Sequence, residues 1–339
     1  MEIRVNSTEE LQTAVTQHER LMVTAGGSKK ALSAPRPDTD VVDLSNLSGM
    51  LDYQPDEFTF TALAGTKLQD IEAKLAENNQ FLPFDPPLVS AGATLGGTVA
   101  AGLSGPGRFR YGGVRDFILG VAFIDGQGRL VRSGGRVVKN AAGFDLSKLM
   151  VGSLGSYGAL VELSFKVFPK PESTITLEAP FPDLDQALEA MIRVSRAPLD
   201  LYVLDLQPNS QEISIFARLG GPRQSLRSRI DRLRELIGQG KVIEGGDESD
   251  LWWHERHFSW VPADYALVKV ALTYRQVADL EKILSQAGAL RRYSAGANLA
   301  WIAWPGSLQV LDGFLSQLGL SGLVLMSEEP ASELGLRKG

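Results

Sequence analysis

Residues 91–102 read AGATLGGTVAAG and lie within a longer stretch, residues 83–169, in which glycine recurs between apolar segments. Glycine permits positive φ angles and lets a backbone approach another group closely. Such a cluster predicts that the chain wraps a large flat ligand, or a phosphorylated one, with its own amides. The glycines concerned are Gly92, Gly96, Gly97, Gly102, Gly105, Gly107, Gly112 and Gly113, followed by Gly143, Gly152, Gly155 and Gly158.

Composition limits the classes of protein that this chain can be. A net charge of −6 argues against nonspecific nucleic-acid binding, which needs a basic surface. The chain has no cysteine, so it cannot hold a disulfide, a cysteine-ligated iron–sulfur cluster or zinc, or a cysteinyl flavin. The N-terminal residues show no signal peptide, and no apolar run reaches the roughly 18 residues of a membrane helix. We expect a cytoplasmic protein whose contact with the inner membrane, if any, is made through partners.

The pattern of elements predicts two domains. Pro169 and Pro171 mark a boundary, which gives a first domain at 1–170, a second at 171–330 and a tail at 331–339. The first half carries short strands and helices. The second half carries a partly repeated β–β–α–β series, which predicts an antiparallel sheet covered by helices on one face. The predicted fold class is α+β in both parts.

Three local patterns predict helix starts. Ser7 with Glu10, and Thr66 with Gln69, have the spacing of capping boxes. Thr94 can cap a short helix whose first turn contains Gly96 and Gly97. Glycine is a poor helix former, so its presence in this first turn needs a reason. One reason is a ligand that lies against the helix amides, and the other is a close contact between helices.

Two further loops have both a structural and a functional interpretation. Residues 24–28, TAGGS, follow a predicted strand, and their amides could form an anion-binding concavity or only a tight turn. Residues 152–161, GSLGSYGALV, read alone, are a turn that leads into a strand.

Taken in order, these motifs resemble the FAD-binding domain of the vanillyl-alcohol-oxidase, or PCMH-type, flavoproteins. Within that superfamily the chain is similar to the family of FAD-binding E subunits of bacterial glycolate oxidases. The resemblance is carried by AGGS at 25–28, by a T-x-G-G-x-x-A pattern from Thr94 to Ala100, by KNAAGFDL at 139–146, and by GSLGSYGALV at 152–161. It departs after Ala100, where glycines fall at Gly102 and Gly105 rather than at one fixed place.

The resemblance implies two α+β subdomains that hold FAD in a cleft, followed by a smaller α+β cap domain with an antiparallel sheet. It places amides of the first loop on the diphosphate, residues from Thr94 to Gly97 on the diphosphate and ribityl chain, and the Leu160 backbone at the adenine end. Asn140 and Gly143 would lie nearer the flavin ring. The implied cofactor residues are Ala25, Gly26, Gly27, Ser28, Ala91, Thr94, Leu95, Gly96, Gly97, Gly102, Asn140, Gly143 and Leu160.

Histidine usage departs from other members of the superfamily. Some members attach flavin to a histidine near the glycine loops, but the histidines here are His18, His254 and His257, outside those loops. We therefore predict noncovalent FAD. Related 2-hydroxy-acid dehydrogenases carry a metal-binding H-x-H in the cap, and this chain has no such motif, so no metal is expected. This difference weakens the case for hydroxy-acid oxidation by this chain alone.

Several residues outside the loops are weaker candidates. His254 and His257 lie in an aromatic segment, WWHERHFSW, which could be a metal site but is more simply an aromatic cap helix. The catalytic candidates are Arg108, Asn140 and Arg256. The two arginines are included because a guanidinium suits carboxylate recognition. Five arginines between 223 and 234 form either a solvated helix face or a docking surface for an acidic partner.

The predicted function is that of the FAD-binding subunit of a glycolate oxidase complex. Glycolate would be oxidised to glyoxylate through flavin, and electrons would pass to an iron–sulfur partner, alongside a D-type flavin subunit. One alternative is a noncatalytic flavin-fold scaffold or electron-relay subunit. Another is an independent FAD oxidase of a different hydroxy acid or alcohol.

Overall fold

A computed structural model of the chain describes residues 1–33, 38–135, 144–209 and 212–328. The chain divides into two compact units. Unit 1 comprises Met1–Lys29, Ser33–Gly105 and Gly112–Lys170, and unit 2 comprises Lys30–Leu32, Pro106–Tyr111 and Pro171–Gly339. The division predicted from the prolines did not include the two short segments of the first half that belong to unit 2.

Unit 1 is built from two sheets and a short strand pair. A parallel three-stranded sheet has the order β1-β3-β2, an antiparallel five-stranded sheet has the order β4-β5-β9-β7-β8, and β6 pairs with β10. Elements are numbered along the chain, and α4 belongs to unit 2. They are β1 (Glu2–Arg4), α1 (Thr8–Gln17), β2 (Leu21–Thr24), β3 (Asp40–Asp43), β4 (Met50–Gln54), β5 (Thr59–Leu63), α2 (Leu68–Ala76), β6 (Gln80–Phe81), α3 (Leu95–Ala101), α4 (Arg108–Tyr111), β7 (Ile118–Ile124), β8 (Leu130–Gly134), α5 (Leu146–Met150), β9 (Ala159–Lys166) and β10 (Phe168–Pro169).

The predicted helix starts of unit 1 have different outcomes. Ser7 caps α1 by accepting a hydrogen bond from the Glu10 amide at 3.2 Å, as predicted, but the Glu10 carboxylate accepts from the Asn6 amide instead of returning to Ser7. The capping box at Thr66 is wrong. The Thr66 hydroxyl donates to the Leu63 carbonyl at 2.7 Å, which closes the preceding turn, and α2 begins with no side-chain cap.

Unit 2 contains an eight-stranded antiparallel sheet in the order β14-β11-β13-β12-β16-β17-β15-β18, which confirms the predicted antiparallel sheet. Its elements are β11 (Ser173–Phe181), α6 (Leu184–Ser195), β12 (Leu201–Pro208), β13 (Ile213–Gly221), α7 (Arg223–Ile237), β14 (Lys241–Glu244), α8 (Gly246–His257), β15 (Ala266–Ala271), α9 (Val277–Gln286), β16 (Leu290–Ser294), β17 (Leu299–Trp304), α10 (Leu308–Gln317) and β18 (Gly322–Met326).

The two faces of this sheet are covered differently. Helices α6, α7, α9 and α10 bury one face in a continuous apolar core. Helix α8 packs against the opposite face, where Trp252 contacts Val203 and Phe216. The prediction that helices cover a single face is therefore incomplete. No periodic apolar pattern marks α8, because its apolar residues do not form one stripe.

A buried carboxylate fixes α8 to the sheet. Glu248 is 1% exposed, and it accepts hydrogen bonds from the hydroxyls of Thr174 and Thr176 at 2.8 and 3.0 Å. The Arg218 guanidinium donates two more, at 2.7 and 3.0 Å. A buried charge that is fully hydrogen-bonded in this way holds its element in one register.

We predict that Glu248→Ala lowers the free energy of unfolding by about 3 kcal/mol, because it leaves Arg218 without its anion in a partly buried place. Urea unfolding followed by tryptophan fluorescence would measure the change. The matched control is Glu235→Ala on the exposed side of α7, which we expect to alter stability by less than about 0.5 kcal/mol. A loss below about 1 kcal/mol for Glu248→Ala would show that the carboxylate does not anchor α8.

Candidate functional site

Three glycine segments that are far apart in sequence come together around α3 in unit 1. The first loop, 25–28, lies against the segment that precedes α3, and the loop at 152–158 lies against the end of α3. The Gly152 amide donates to the Val99 carbonyl and the Leu154 amide to the Ala100 carbonyl, both at 2.9 Å. The structure therefore brings together three of the four motifs that carry the family resemblance, and most of the fourth, at 139–146, lies outside the described residues.

Close backbone approaches explain two of these glycines. A Cβ atom on Gly26 would lie 1.9 Å from the Gly92 carbonyl oxygen, and one on Gly96 would lie 2.7 Å from the Cβ of Ala64. Both neighbours are protein atoms. The space beside Gly96 is taken by Ala64, which directly follows β5, so a contact within the chain already requires this glycine.

The start of α3 has the predicted geometry. Thr94 is the N-cap, and its hydroxyl accepts a hydrogen bond from the Gly97 amide at 3.3 Å. Leu95 and Gly96 are buried, whereas Gly97 is only half-buried. Gly97 also neighbours a lysine, since a Cβ atom there would lie 3.7 Å from the Lys29 Nζ.

Lys29 is a further candidate site residue, which no sequence motif identified above contains. Its side chain is 7% exposed, and its ammonium donates to the Ser28 hydroxyl at 2.9 Å. Burial lowers the pKa of Lys29 to about 8. A lysine directly after a glycine loop was the only available signal, and one sequence does not show whether such a lysine is buried.

The other predicted cofactor residues lie in different surroundings. Ala25 and Ser28 are half-buried, Gly26 and Gly27 are exposed, and Ala91 is exposed just before α3. Gly102 ends α3 with a φ of +61° and lies against Gly152. Leu160 is buried within β9. Asn140 and Gly143 lie outside the described residues.

The residues of unit 1 fit the diphosphate of a dinucleotide. Exposed loop amides at Gly26 and Gly27 can donate to phosphate oxygens, and the Lys29 ammonium next to them has no anion among the described residues. The Ser153 hydroxyl, in the loop that contacts α3, is also buried without a hydrogen-bond partner in the described chain. Buried polar groups are normally satisfied, so both features indicate that a polar ligand belongs near these loops.

Unit 2 carries a separate row of polar and aromatic residues on the sheet face that α8 partly covers. The strand register places Gln207, Arg292, Trp301 and Lys269 side by side on β12, β16, β17 and β15. Directly opposite residues in antiparallel strands point to the same face, and neighbouring strands lie about 4.8 Å apart. The four side chains therefore form one line across the middle of the sheet.

The charges along this row are unusual for a sheet. Burial, together with a smaller effect of the nearby Arg108, lowers the pKa of Lys269 to about 8. Glu255 of α8 reaches Arg292 at 3.4 Å, and burial raises its pKa although Arg292 opposes the shift. Arg292 also lies over the Trp260 ring, 4.8 Å from its centre. These groups make the row a mainly cationic surface.

The weaker sequence candidates are distributed as follows. Arg108 lies on α4 and is exposed, and Arg256 lies half-buried on α8. The Trp253 ring stacks on the His257 ring with 4.4 Å between the ring centroids, and it contacts the His254 ring edge-on with 5.1 Å between centroids. These contacts agree with the expected aromatic helix. Within the described ranges, no group of three metal-ligating side chains occurs.

The arginines of α7 do not form one solvated face. Arg229 donates to the carbonyls of Gly220 and Leu199, both at 2.8 Å, so it ties the helix to the loops beside it. Arg223, Arg227 and Arg232 are exposed. None of the helices in the described chain is long and apolar enough to cross a membrane.

Comparison with known proteins identifies the class. Residues 1–134 match the family model described as an FAD binding domain. The structure superposes on alkyldihydroxyacetonephosphate synthase with a TM-score of 0.71 and 15% identity, covering 94% of this chain and 71% of that one. At that identity the superposition shows the fold alone. The fold is the α+β PCMH-type fold, and the cofactor of this class is FAD.

Sequence relatives then identify the family. Glycolate oxidase subunit GlcE of Escherichia coli (strain K12) is 35% identical over 84% of this chain and 78% of that protein. Glycolate oxidase subunit GlcD of Bacillus subtilis (strain 168) is 28% identical over 71% of this chain, which spans 56% of that protein. A D-lactate dehydrogenase of Anaerostipes hadrus is 28% identical over 55% of this chain and 40% of its own. The chain belongs to the GlcE family of FAD-dependent oxidoreductases, which confirms the resemblance found in the sequence.

We predict that Gly26→Ala lowers stability by about 1–3 kcal/mol, because the added methyl group must push the first loop away from Gly92. Thermal unfolding and the FAD content of the purified protein would both fall. Gly126→Ala is the control, since a Cβ atom there meets nothing within 4 Å. If Gly26→Ala and Gly126→Ala behave alike in both measurements, the contact between the two loops is not required.

Proposed function

We propose that this chain is the FAD-binding subunit of a complex that oxidises glycolate to glyoxylate. The support is the 35% identity to GlcE over most of both chains, together with relatives whose names specify glycolate and D-lactate, both short 2-hydroxy acids. Unit 1 is proposed as the FAD-binding domain, and unit 2 as the cap or substrate domain.

Within unit 1 each glycine segment has a proposed role toward FAD. The amides of Gly26, Gly27 and Ser28 would bind the diphosphate, and the residues from Thr94 to Gly97 would pack on the diphosphate and ribityl chain. Leu160 would contact the adenine end through its backbone. Asn140 and Gly143 stay proposed neighbours of the flavin ring. FAD would be held noncovalently.

Bound FAD would supply a two-electron acceptor, and the chain would also have to hold the acid. Lys269 is the best placed residue of unit 2 for the carboxylate of a hydroxy acid. It lies at the end of the row, beside Trp301, with Arg108 close enough to perturb its pKa. An anion bound there would stabilise both cations and exclude water from the row.

The partners follow from the names of the relatives and from composition. GlcE and GlcD are named as subunits of one enzyme, so we propose that this chain assembles with a D-type flavin subunit. We propose that the reduced flavin passes its electrons to a separate iron–sulfur centre. Because this chain has no cysteine, a cysteine-ligated iron–sulfur cluster would lie on another partner.

One observation favours a second candidate, an electron-relay or scaffold subunit. The H-x-H motif expected of a metal-assisted hydroxy-acid dehydrogenase is missing from the sequence. In that case the chain would bind FAD in unit 1 while the acid is oxidised on the D-type partner. The two candidates differ in whether glycolate reduces the flavin of this chain alone.

The deciding experiment is an absorbance spectrum of the purified chain, before and after acid precipitation, followed by anaerobic addition of glycolate. We expect yellow colour in the supernatant, because the flavin is not covalently bound. Bleaching by glycolate would assign substrate oxidation to this chain. Flavin that stays oxidised, but is reduced when the D-type subunit is added, would favour the relay. Failure to take up FAD would contradict both flavin-dependent roles and leave only the scaffold.

We predict that Lys269→Met weakens glycolate binding to the FAD-loaded chain at least about tenfold, because a charge-assisted hydrogen bond is lost. Isothermal titration calorimetry measures this without turnover. Lys269→Arg should retain most of the affinity, and Lys282→Met, on the exposed side of α9, should retain all of it. Equal glycolate affinities in wild type and Lys269→Met would show that the glycolate carboxylate does not bind to Lys269.

A further inference from the structure

Lys29 is a buried cation that has no anion beside it among the residues the structure describes. It is 7% exposed, and within that part of the chain its Nζ donates to the Ser28 hydroxyl at 2.9 Å. No carboxylate of the described residues forms an ion pair with it. Burial alone accounts for the change in its pKa, with no contribution from a neighbouring charge. Lysine is almost never buried unless it is paired, so this arrangement calls for an explanation.

The position of Lys29 indicates which anion is missing. The ammonium lies at the junction of two glycine segments, because it bonds to Ser28 of the first loop and lies next to Gly97 of α3. Both neighbouring residues are only half-buried, so a ligand can approach from their side. An ammonium has three protons, and only one of them is used by Ser28.

We propose that Lys29 supplies the positive charge that neutralises the diphosphate of FAD, so that loop amides and one buried ammonium together bind the phosphate oxygens. The proposal deepens the placement of the diphosphate given above and rests on it. Lysine is a common phosphate-binding residue because it acts as a compact point charge. The loop amides supply direction, and Lys29 supplies the net charge that amides lack.

The proposal has opposite consequences for the apoprotein and the loaded protein. Without an anion, keeping Lys29 charged in a buried place disfavours folding. With FAD bound, the same charge is paired. Removing the charge should therefore stabilise the apoprotein and weaken FAD binding. A lysine with a purely structural role would not give this pair of opposite effects.

The test compares three variants of the full chain after removal of flavin. Lys29→Met removes the charge at similar volume, Lys29→Arg keeps it, and Lys30→Met is the control, because Lys30 is adjacent and exposed. Dissociation constants are measured by flavin fluorescence for FAD and for riboflavin, which has no phosphate. Thermal unfolding of each apoprotein is measured in parallel.

We expect Lys29→Met to weaken FAD binding by about tenfold to a hundredfold, as for a hydrogen bond between charged groups. Riboflavin affinity should change less than about twofold, and the apoprotein should unfold at a higher temperature than wild type. Lys29→Arg should restore much of the FAD affinity, and Lys30→Met should match wild type. An equal loss for FAD and riboflavin, a less stable apoprotein, or no loss for FAD would each overturn the proposal.

A second measurement uses the wild type and does not depend on any variant folding. The pKa of Lys29 in the free protein is about 8, below its unfolded value, so the destabilising charge is fully present below pH 8 and is lost as the pH rises above it. FAD affinity should fall between pH 7 and 9, because the neutral amine must regain a proton on binding, and riboflavin affinity should not. A flat FAD profile would contradict the proposal.

These outcomes are separate from those of the proposed function. If flavin binds with the expected charge dependence but is not reduced by glycolate, the proposed role of Lys29 is supported and glycolate as the substrate of this chain is contradicted. If glycolate reduces the flavin and Lys29→Met leaves the FAD affinity unchanged, the proposed function is supported and the role of Lys29 is contradicted.

Discussion

The backbone contact between Gly26 and Gly92 is the constraint on which the arrangement of unit 1 depends. With 1.9 Å between a Gly26 Cβ position and the Gly92 oxygen, no side chain fits, so the first loop can lie directly against the segment that leads into α3. That contact aligns the exposed amides of the first loop with the beginning of α3. At the other end of the helix, the amides of Gly152 and Leu154 bond to its last carbonyls.

Much of this could be predicted from the sequence because it depends on local patterns. The caps at Ser7 and Thr94 and the antiparallel sheet of the second half follow from residue types and spacing. Thr66 fails for a local reason as well, because its hydroxyl donates to the Leu63 carbonyl and α2 begins without a side-chain cap. A capping-box pattern identifies possible partners but not which of them bond.

Long-range features could not be predicted in this way. The row from Gln207 to Lys269 joins four strands whose pairing is fixed by register, and no single segment of sequence contains that information. Helix α8 was missed as the cover of the second sheet face because a buried carboxylate, Glu248, rather than an apolar stripe, attaches it. Burial of Lys29 is likewise a property of the whole unit, since its chain neighbours Ser28 and Lys30 are more exposed.

The structure also changes what the glycines imply about function. In the sequence they suggest a ligand, because an unused pocket has no need of them. In the fold, Gly26 and Gly96 are required by contacts with Gly92 and Ala64, and a scaffold that had lost its cofactor would still need both. Retained glycines therefore do not separate a flavin-binding subunit from an empty one. The proposed role of Lys29 would separate them. No carboxylate of the described residues pairs with this buried charge, and a chain with no anion to bind would be more stable with an apolar residue there.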